Sequence, residues 1–269
     1  MFIFFKILSK LSLKKLYLLS DLINNFFLLK LLYRKKITYN NLNKVFNRKT
    51  KKEIELIYKR YYNHLSDLIL ETIKLLDVNE ITIKKRIKLL NPEIINSLDK
   101  NKPTIILSAH YGNWEWLFAS LCVNFKENIY AVYKPLSNKF FNNLILKIRK
   151  NFGGKLISKN KTGKFILKKF KKKDILFVLA DQVPENLNNT ISIKFLNRNT
   201  TFSKGLEKLC INSNAIVLYA KMKKKERGYY TVEFTKIKKN IIREYSKKTE
   251  EIIFEKPEYW LWSHNRWKR

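Results

Sequence analysis

From Pro103 onward the chain alternates short β-branched or aromatic runs with longer amphipathic stretches, and that alternation limits its fold more than any other feature. In order come TIILSA, WEWLFASLCVNF, IYAVYK, NKFFNNLILKIRKNF, KLIS, TGKFILKKFKKK, DILFVLAD and, after a loop, ISIKF. The short apolar runs read as buried strands and the stretches between them as helices. A strand whose neighbour is parallel needs a long crossover, and a helix supplies one, so the pattern predicts a largely parallel sheet. Near the end, AIVLYAKMK and GYYTVEFTKIK follow each other across KKER, which predicts an antiparallel pair extending the sheet. An amphipathic helix at about residues 244 to 255 then precedes the tail KPEYWLWSHNRWKR. The expected fold class is α/β, a mixed, largely parallel sheet flanked by helices, with an N-terminal helical, membrane-associated region.

Ahead of that core, residues 40 to 77 carry Ile54, Leu56, Ile57, Leu65, Leu68, Ile69, Ile73 and Leu76 at mixed three and four spacing and read as helices. The first 36 residues are apolar but interrupted by Lys and Asp. Between Lys15 and Lys30, nine Leu, Ile or Phe favour membrane insertion by about 4 kcal/mol, against about 3 kcal/mol for the central Asp21. A balance near zero predicts a helix lying in the membrane interface, or a marginal span, with an ordinary core helix as the plainer alternative. No cleavage site of small residues follows, which argues against a removed signal peptide. With no internal repeat or Gly/Ser-rich linker, the expected division is a membrane-associating helix over 1–36 and one main domain over 37–269. The latter comprises a helical prelude at 37–100 and an α/β core at 101–269.

The net charge of +34 normally suggests nucleic acid, an anionic membrane or an acidic protein as partner. Abundant Lys, Asn and Ile beside only 6 Gly and 5 Pro reflect A/T-rich codon usage as well, which weakens that inference. KFKKK and KMKKK read as solvated faces, or as a surface for a carrier protein or lipid headgroups. Cys122 and Cys210 lie far apart, and the three histidines are scattered, so no metal set is implied. No phosphate-binding glycine motif occurs, and no cofactor is expected.

One histidine falls where chemistry gathers in α/β sheets. In TIILSAHYGNWEW, His110 stands at the turn from strand to helix, with Asn113 as the helix N-cap and Glu115 in the first turn. Five residues apart on a regular helix, His110 and Glu115 would point about 140° apart. With Gly112 bending the turn they can meet, the carboxylate fixing one ring nitrogen and leaving the other to act as a general base toward a hydroxyl. The backbone N–H groups of Gly112 and Asn113 could hold an anion there. The plainer alternative is a turn-capping histidine and a solvated acid favoured by the helix dipole.

SAHYGNWEW resembles the H-x4-D/E signature of the bacterial late acyltransferases of lipid A biosynthesis, the lauroyl and myristoyl acyltransferases. These form a membrane-associated branch of the glycerolipid acyltransferase-like superfamily. YKPLSNKFFNNLILKIRKNFG, ADQ at 180–182, FSKGLEKL, GYYTVEF and PEYWLWSHNRWK match in the same order, so the likeness spans nearly the whole chain. The resemblance implies that His110 is the base and Glu115 its orienting acid. It implies a fatty acyl chain moving from acyl carrier protein, as its thioester, to a hydroxyl of a lipid A precursor, at the cytoplasmic face of a bacterial inner membrane. Arg149 matches an arginine that would hold a phosphate or oxyanion, and Asp181 and Gln182 a pair lining the site. Leu117, Phe118, Phe140 and Phe141 are candidate walls for the acyl chain.

Two alternatives stand beside this expectation. One is acylation of a lysophospholipid or another polar lipid. The other is a noncatalytic basic protein bound to membrane or nucleic acid, although no nucleic-acid motif accompanies the charge. His64 and His264 read as structural, the first because it lies in the prelude away from the sheet edge, while for His264 the resemblance leaves open a site-closing role. The tail aromatics Tyr259, Trp260, Trp262 and Trp267 read as packing.

Overall fold

The computed structural model describes residues 2–25 and 33–268. It begins with helices α1 (Phe2–Lys10), α2 (Leu13–Asn25), α3 (Lys35–Val45), α4 (Lys51–Lys74) and α5 (Glu80–Arg86), then strand β1 (Ile87–Leu89) and helix α6 (Glu93–Asn96). The alternating region follows as β2 (Thr104–Ser108), α7 (Trp114–Asn124), β3 (Ile129–Tyr133), α8 (Lys139–Lys150), β4 (Lys155–Ser158), α9 (Thr162–Lys168) and β5 (Ile175–Leu179). It closes with β6 (Thr190–Phe195), β7 (Arg198–Ser203), α10 (Gly205–Asn212), β8 (Ile216–Glu226), β9 (Tyr229–Ile237) and α11 (Ile241–Glu255).

Among the described residues the main sheet has seven strands in the order β1-β9-β8-β2-β5-β3-β4. β2 lies parallel to both β5 and β8, while β8 and β9 form the expected antiparallel pair. Both faces are covered. Ile106, Phe177 and Leu218 enter the core under α7 and α8, and Ile105, Leu107, Leu176 and Tyr219 enter the core under α4 and α11. ISIKF departs from the expectation. It forms β6, which pairs only with β7 in a separate two-stranded hairpin. Leu196 and Asn197, both at positive φ, make its two-residue turn, the backbone that matches the twist of a tight hairpin.

The prelude is helical as expected. Thr50 and Glu53 cap α4 reciprocally, each side chain accepting from the other residue's backbone N–H. The N-terminal segment differs from the single helix expected, because α1 and α2 break at residues 11–12 and pack on α4. Leu13 and Leu16 are buried, whereas Leu18 and Leu22 are exposed. Asp21 is paired: Arg227, from the turn between β8 and β9, donates to Asp21 and to the buried Asp67 of α4. Among the described residues no helix is long and apolar enough to cross a membrane. The apolar run at 26–32, on which part of the insertion balance rests, lies outside the described residues.

Candidate active site

The sheet itself sets the two central groups side by side. β2 and β5 pair in parallel register with Ser108 opposite Leu179. Two residues past each of these, at the carboxyl edge where ligands gather, stand His110 and Asp181. The ring Nδ1 lies 2.7 Å from Asp181 Oδ1, and the His110 backbone N–H faces both carboxylate oxygens at 3.1 Å. Trp260 Nε1 donates to Asp181 Oδ2 at 2.8 Å.

Burial alone would raise the Asp181 pKa. The adjacent His110 ring, its hydrogen bond, the Trp260 indole and the His110 N–H outweigh burial and hold the carboxyl at about 2. An ionised carboxylate only accepts, so Nδ1 donates to it, and in the neutral ring the lone pair falls on Nε2. The Gln182 amide donates to that lone pair at 3.2 Å, and the Trp114 ring stands edge-on at 5.1 Å. The His110 side chain is 17% exposed and Asp181 is 2% exposed, so Asp181 is closed to solvent while the ring remains reachable.

The carboxylate expected to orient the ring has another partner. Glu115 accepts Arg149 Nε at 2.8 Å and Nη2 at 2.6 Å, and Trp114 Nε1 at 3.1 Å. The expectation of a His110–Glu115 hydrogen bond is therefore corrected: the carboxylate on the ring is Asp181. The reason is geometric and electrostatic. Glu115, in the first turn of α7, meets α8, whose largely buried guanidinium needs a counter-charge and offers a two-pronged fork. Burial would raise the Glu115 pKa and lower that of Arg149, yet each is shifted toward its charged form by the other. Arg149 thus spends two of its five N–H donors on Glu115, and its side chain remains 20% exposed.

Gly112 and Asn113 form the turn as expected, and both are buried. Gly112 has φ +64°, and a Cβ there would approach Met222 Sδ to 3.1 Å. Asn113 caps α7 through Oδ1, which accepts the Trp116 N–H at 3.0 Å. The N–H groups expected to hold an anion are taken, Gly112 donating to the Tyr259 carbonyl and Asn113 to Met222 Sδ. Asn113 is fully buried and donates Nδ2 to Glu71 at 2.6 Å. Leu117 and Phe118 belong to the core, Phe118 stacking on Phe177, whereas Phe140 and Phe141 lie with Phe5 near the surface.

Four residues support the site; the sequence reading took His64, Trp260 and His264 as structural or packing and did not single out Glu71. His64 is structural, as expected, yet it lies at the sheet edge, its Nε2 donating to the Gly112 carbonyl at 3.1 Å. Glu71 gathers the Asn113 amide and the hydroxyls of Tyr17 and Tyr230. Trp260 holds Asp181, and His264 Nε2 accepts the Val183 N–H at 3.2 Å. For His64 and Glu71 the available signal was the stripe His64, Asp67 and Glu71 at three and four spacing, on a face of α4 shared with Ile57, Tyr61 and Leu68, too many polar groups for a plain core face.

Burial holds His64 neutral far below its ordinary range and pushes His264 down to about 4. Between about pH 6.5 and about pH 4 the unfolded rings bind protons that the folded ones do not, so stability must fall as pH drops through that window. Urea midpoints measured from about pH 7 down to about pH 5 are expected to decline steadily. A flat midpoint would mean that both rings titrate like solvated ones.

The family model for the bacterial lipid A biosynthesis acyltransferase matches residues 1–269. No curated protein matches the chain.

Proposed function

The chain belongs to the bacterial lipid A biosynthesis acyltransferase family and is an acyltransferase, and we propose that it acylates a hydroxyl of a lipid A precursor with His110 as general base. The observation that carries this reading is the His110–Asp181 pair, with one nitrogen of a partly exposed ring bound to a buried carboxylate and the other accepting from the Gln182 amide. The acceptor hydroxyl takes the place of the Gln182 amide at Nε2. As its oxygen bonds to the acyl carbon, its proton passes to Nε2, and Asp181 balances the imidazolium that forms. The carbon–sulfur bond of a thioester donor then breaks, and the leaving thiolate takes the proton back from Nε2.

The donor in this reading is the thioester of acyl carrier protein, an acidic protein suited to a chain of net charge +34. The reading places the protein on the cytoplasmic face of a bacterial inner membrane. Support comes from the outward apolar side chains of α1 and α2, Ile3, Phe4, Ile7, Leu18 and Leu22, each more than half exposed, and from Phe141 of α8, which meets Phe5 of α1. Exposed apolar side chains on helices that also carry Lys6, Lys10, Lys14 and Lys15 fit segments lying in an anionic interface.

The test supplies purified lipid A precursor with the same acyl group on acyl carrier protein or on coenzyme A, in the presence of anionic vesicles. Acylated precursor from the carrier-protein donor, with co-sedimentation of enzyme and vesicles, is the expected result. Equal turnover with coenzyme A would overturn the donor assignment, and absence of product with either donor would overturn the reaction.

A further inference from the structure

We infer that the strap at residues 259–264 is a positioning device for the reaction, with Trp260 and His264 setting the Asp181–Val183 turn against His110. The inference rests on the reading of His110 as base. The strap touches both halves of the site at once. Along one edge its backbone pairs with the motif: Leu261 N–H donates to the His110 carbonyl at 3.0 Å, and Gly112 N–H donates to the Tyr259 carbonyl at 3.0 Å. Along the other, Trp260 Nε1 holds Asp181 Oδ2 at 2.8 Å, and His264 Nε2 accepts the Val183 N–H at 3.2 Å.

The two oxygens of Asp181 are thereby divided. Oδ1 serves the His110 ring and Oδ2 the indole, so the carboxylate cannot rotate without giving up one partner. Gln182 lies between the two tethered residues, so the tethers hold its backbone while its side-chain amide, 3.2 Å from His110 Nε2, is left to yield to the acceptor. The strap has its own scaffold away from the site. Asn41 donates to the carbonyls of Trp262 and His264 at 2.9 and 3.0 Å, and Tyr61 Oη accepts the Ser263 N–H at 3.0 Å. A strap that merely filled space would need the volume of Trp260 and His264. A positioning strap needs the indole hydrogen and the imidazole lone pair.

Trp260→Phe keeps most of the ring volume and removes the donor. His264→Leu removes the acceptor, and His264→Gln returns an acceptor, the amide oxygen, near the Nε2 position. Steady-state acyl transfer by the full chain with wild type, these three variants and His110→Ala separates the outcomes, with melting midpoints recorded alongside. The expected result is a loss of about tenfold in kcat for Trp260→Phe and His264→Leu, with KM for both substrates within about twofold and His264→Gln restored most of the way. If His110→Ala is inactive while Trp260→Phe and His264→Leu turn over like wild type, the strap is packing only and the inference fails. It fails equally if His264→Gln is as slow as His264→Leu, or if the losses fall on KM. Should Trp260→Phe not fold, the His264 pair decides alone. Full activity in His110→Ala would instead remove the base assignment on which the inference stands.

Discussion

Replacing His110 with alanine is expected to lower kcat for acyl transfer by about 10²- to 10⁴-fold, the usual contribution of a positioned general base. The ring is partly exposed and its removal leaves Asp181 with the Trp260 indole and the backbone N–H of residue 110, so the fold should survive. Asp181→Asn should give a loss of the same order, because the amide can donate to Nδ1 and hold the wrong tautomer. Turnover assays at saturating substrate, with circular dichroism to confirm folding, are the check. An Asp181→Asn variant at wild-type kcat would mean that the ring needs no carboxylate.

The second large effect falls on stability. Arg149→Met leaves the Glu115 carboxylate, itself 7% exposed, with only the Trp114 indole, and removing one partner of a buried pair typically costs about 3–5 kcal/mol. A urea or thermal unfolding midpoint should show that loss directly. The double variant Glu115→Leu with Arg149→Met, which removes both charges, is expected to recover most of it. A single variant within about 0.5 kcal/mol of wild type would mean that the pair is solvated and tolerant, the behaviour of a surface bridge. The pair joins the start of α7 to α8, so activity lost in Arg149→Met should track the fraction unfolded.

Much of the scaffold was legible before any coordinates. Hydrophobic period and length separated strand from helix across residues 104–179, Asn113 announced the start of α7, and the two long strands near the end read as antiparallel neighbours. The hairpin of β6 and β7 was not separable from the main sheet, because a short alternating strand carries no mark of its partner. The same limit explains the misplaced acid. Glu115 is near His110 in sequence, but Asp181, 71 residues away, is brought to the ring by the register of β2 on β5. That adjacency depends on strand order, with α7, β3, α8, β4 and α9 intervening in the chain. Local spacing does not encode it. The strap was legible only as a cluster of aromatics, since the difference between filling a core and gripping a carboxylate lies in where one indole hydrogen points.

The most direct measurement is the proton spectrum of the ring of His110 in ¹⁵N-histidine-labelled protein, which reports the partner of Nδ1 independently of turnover. A strongly downfield Nδ1–H resonance is expected in wild type, retained in Glu115→Gln and lost in Asp181→Ala. The reverse pattern, with the signal surviving in Asp181→Ala and vanishing in Glu115→Gln, would contradict the assignment of Asp181 as the group that holds the base.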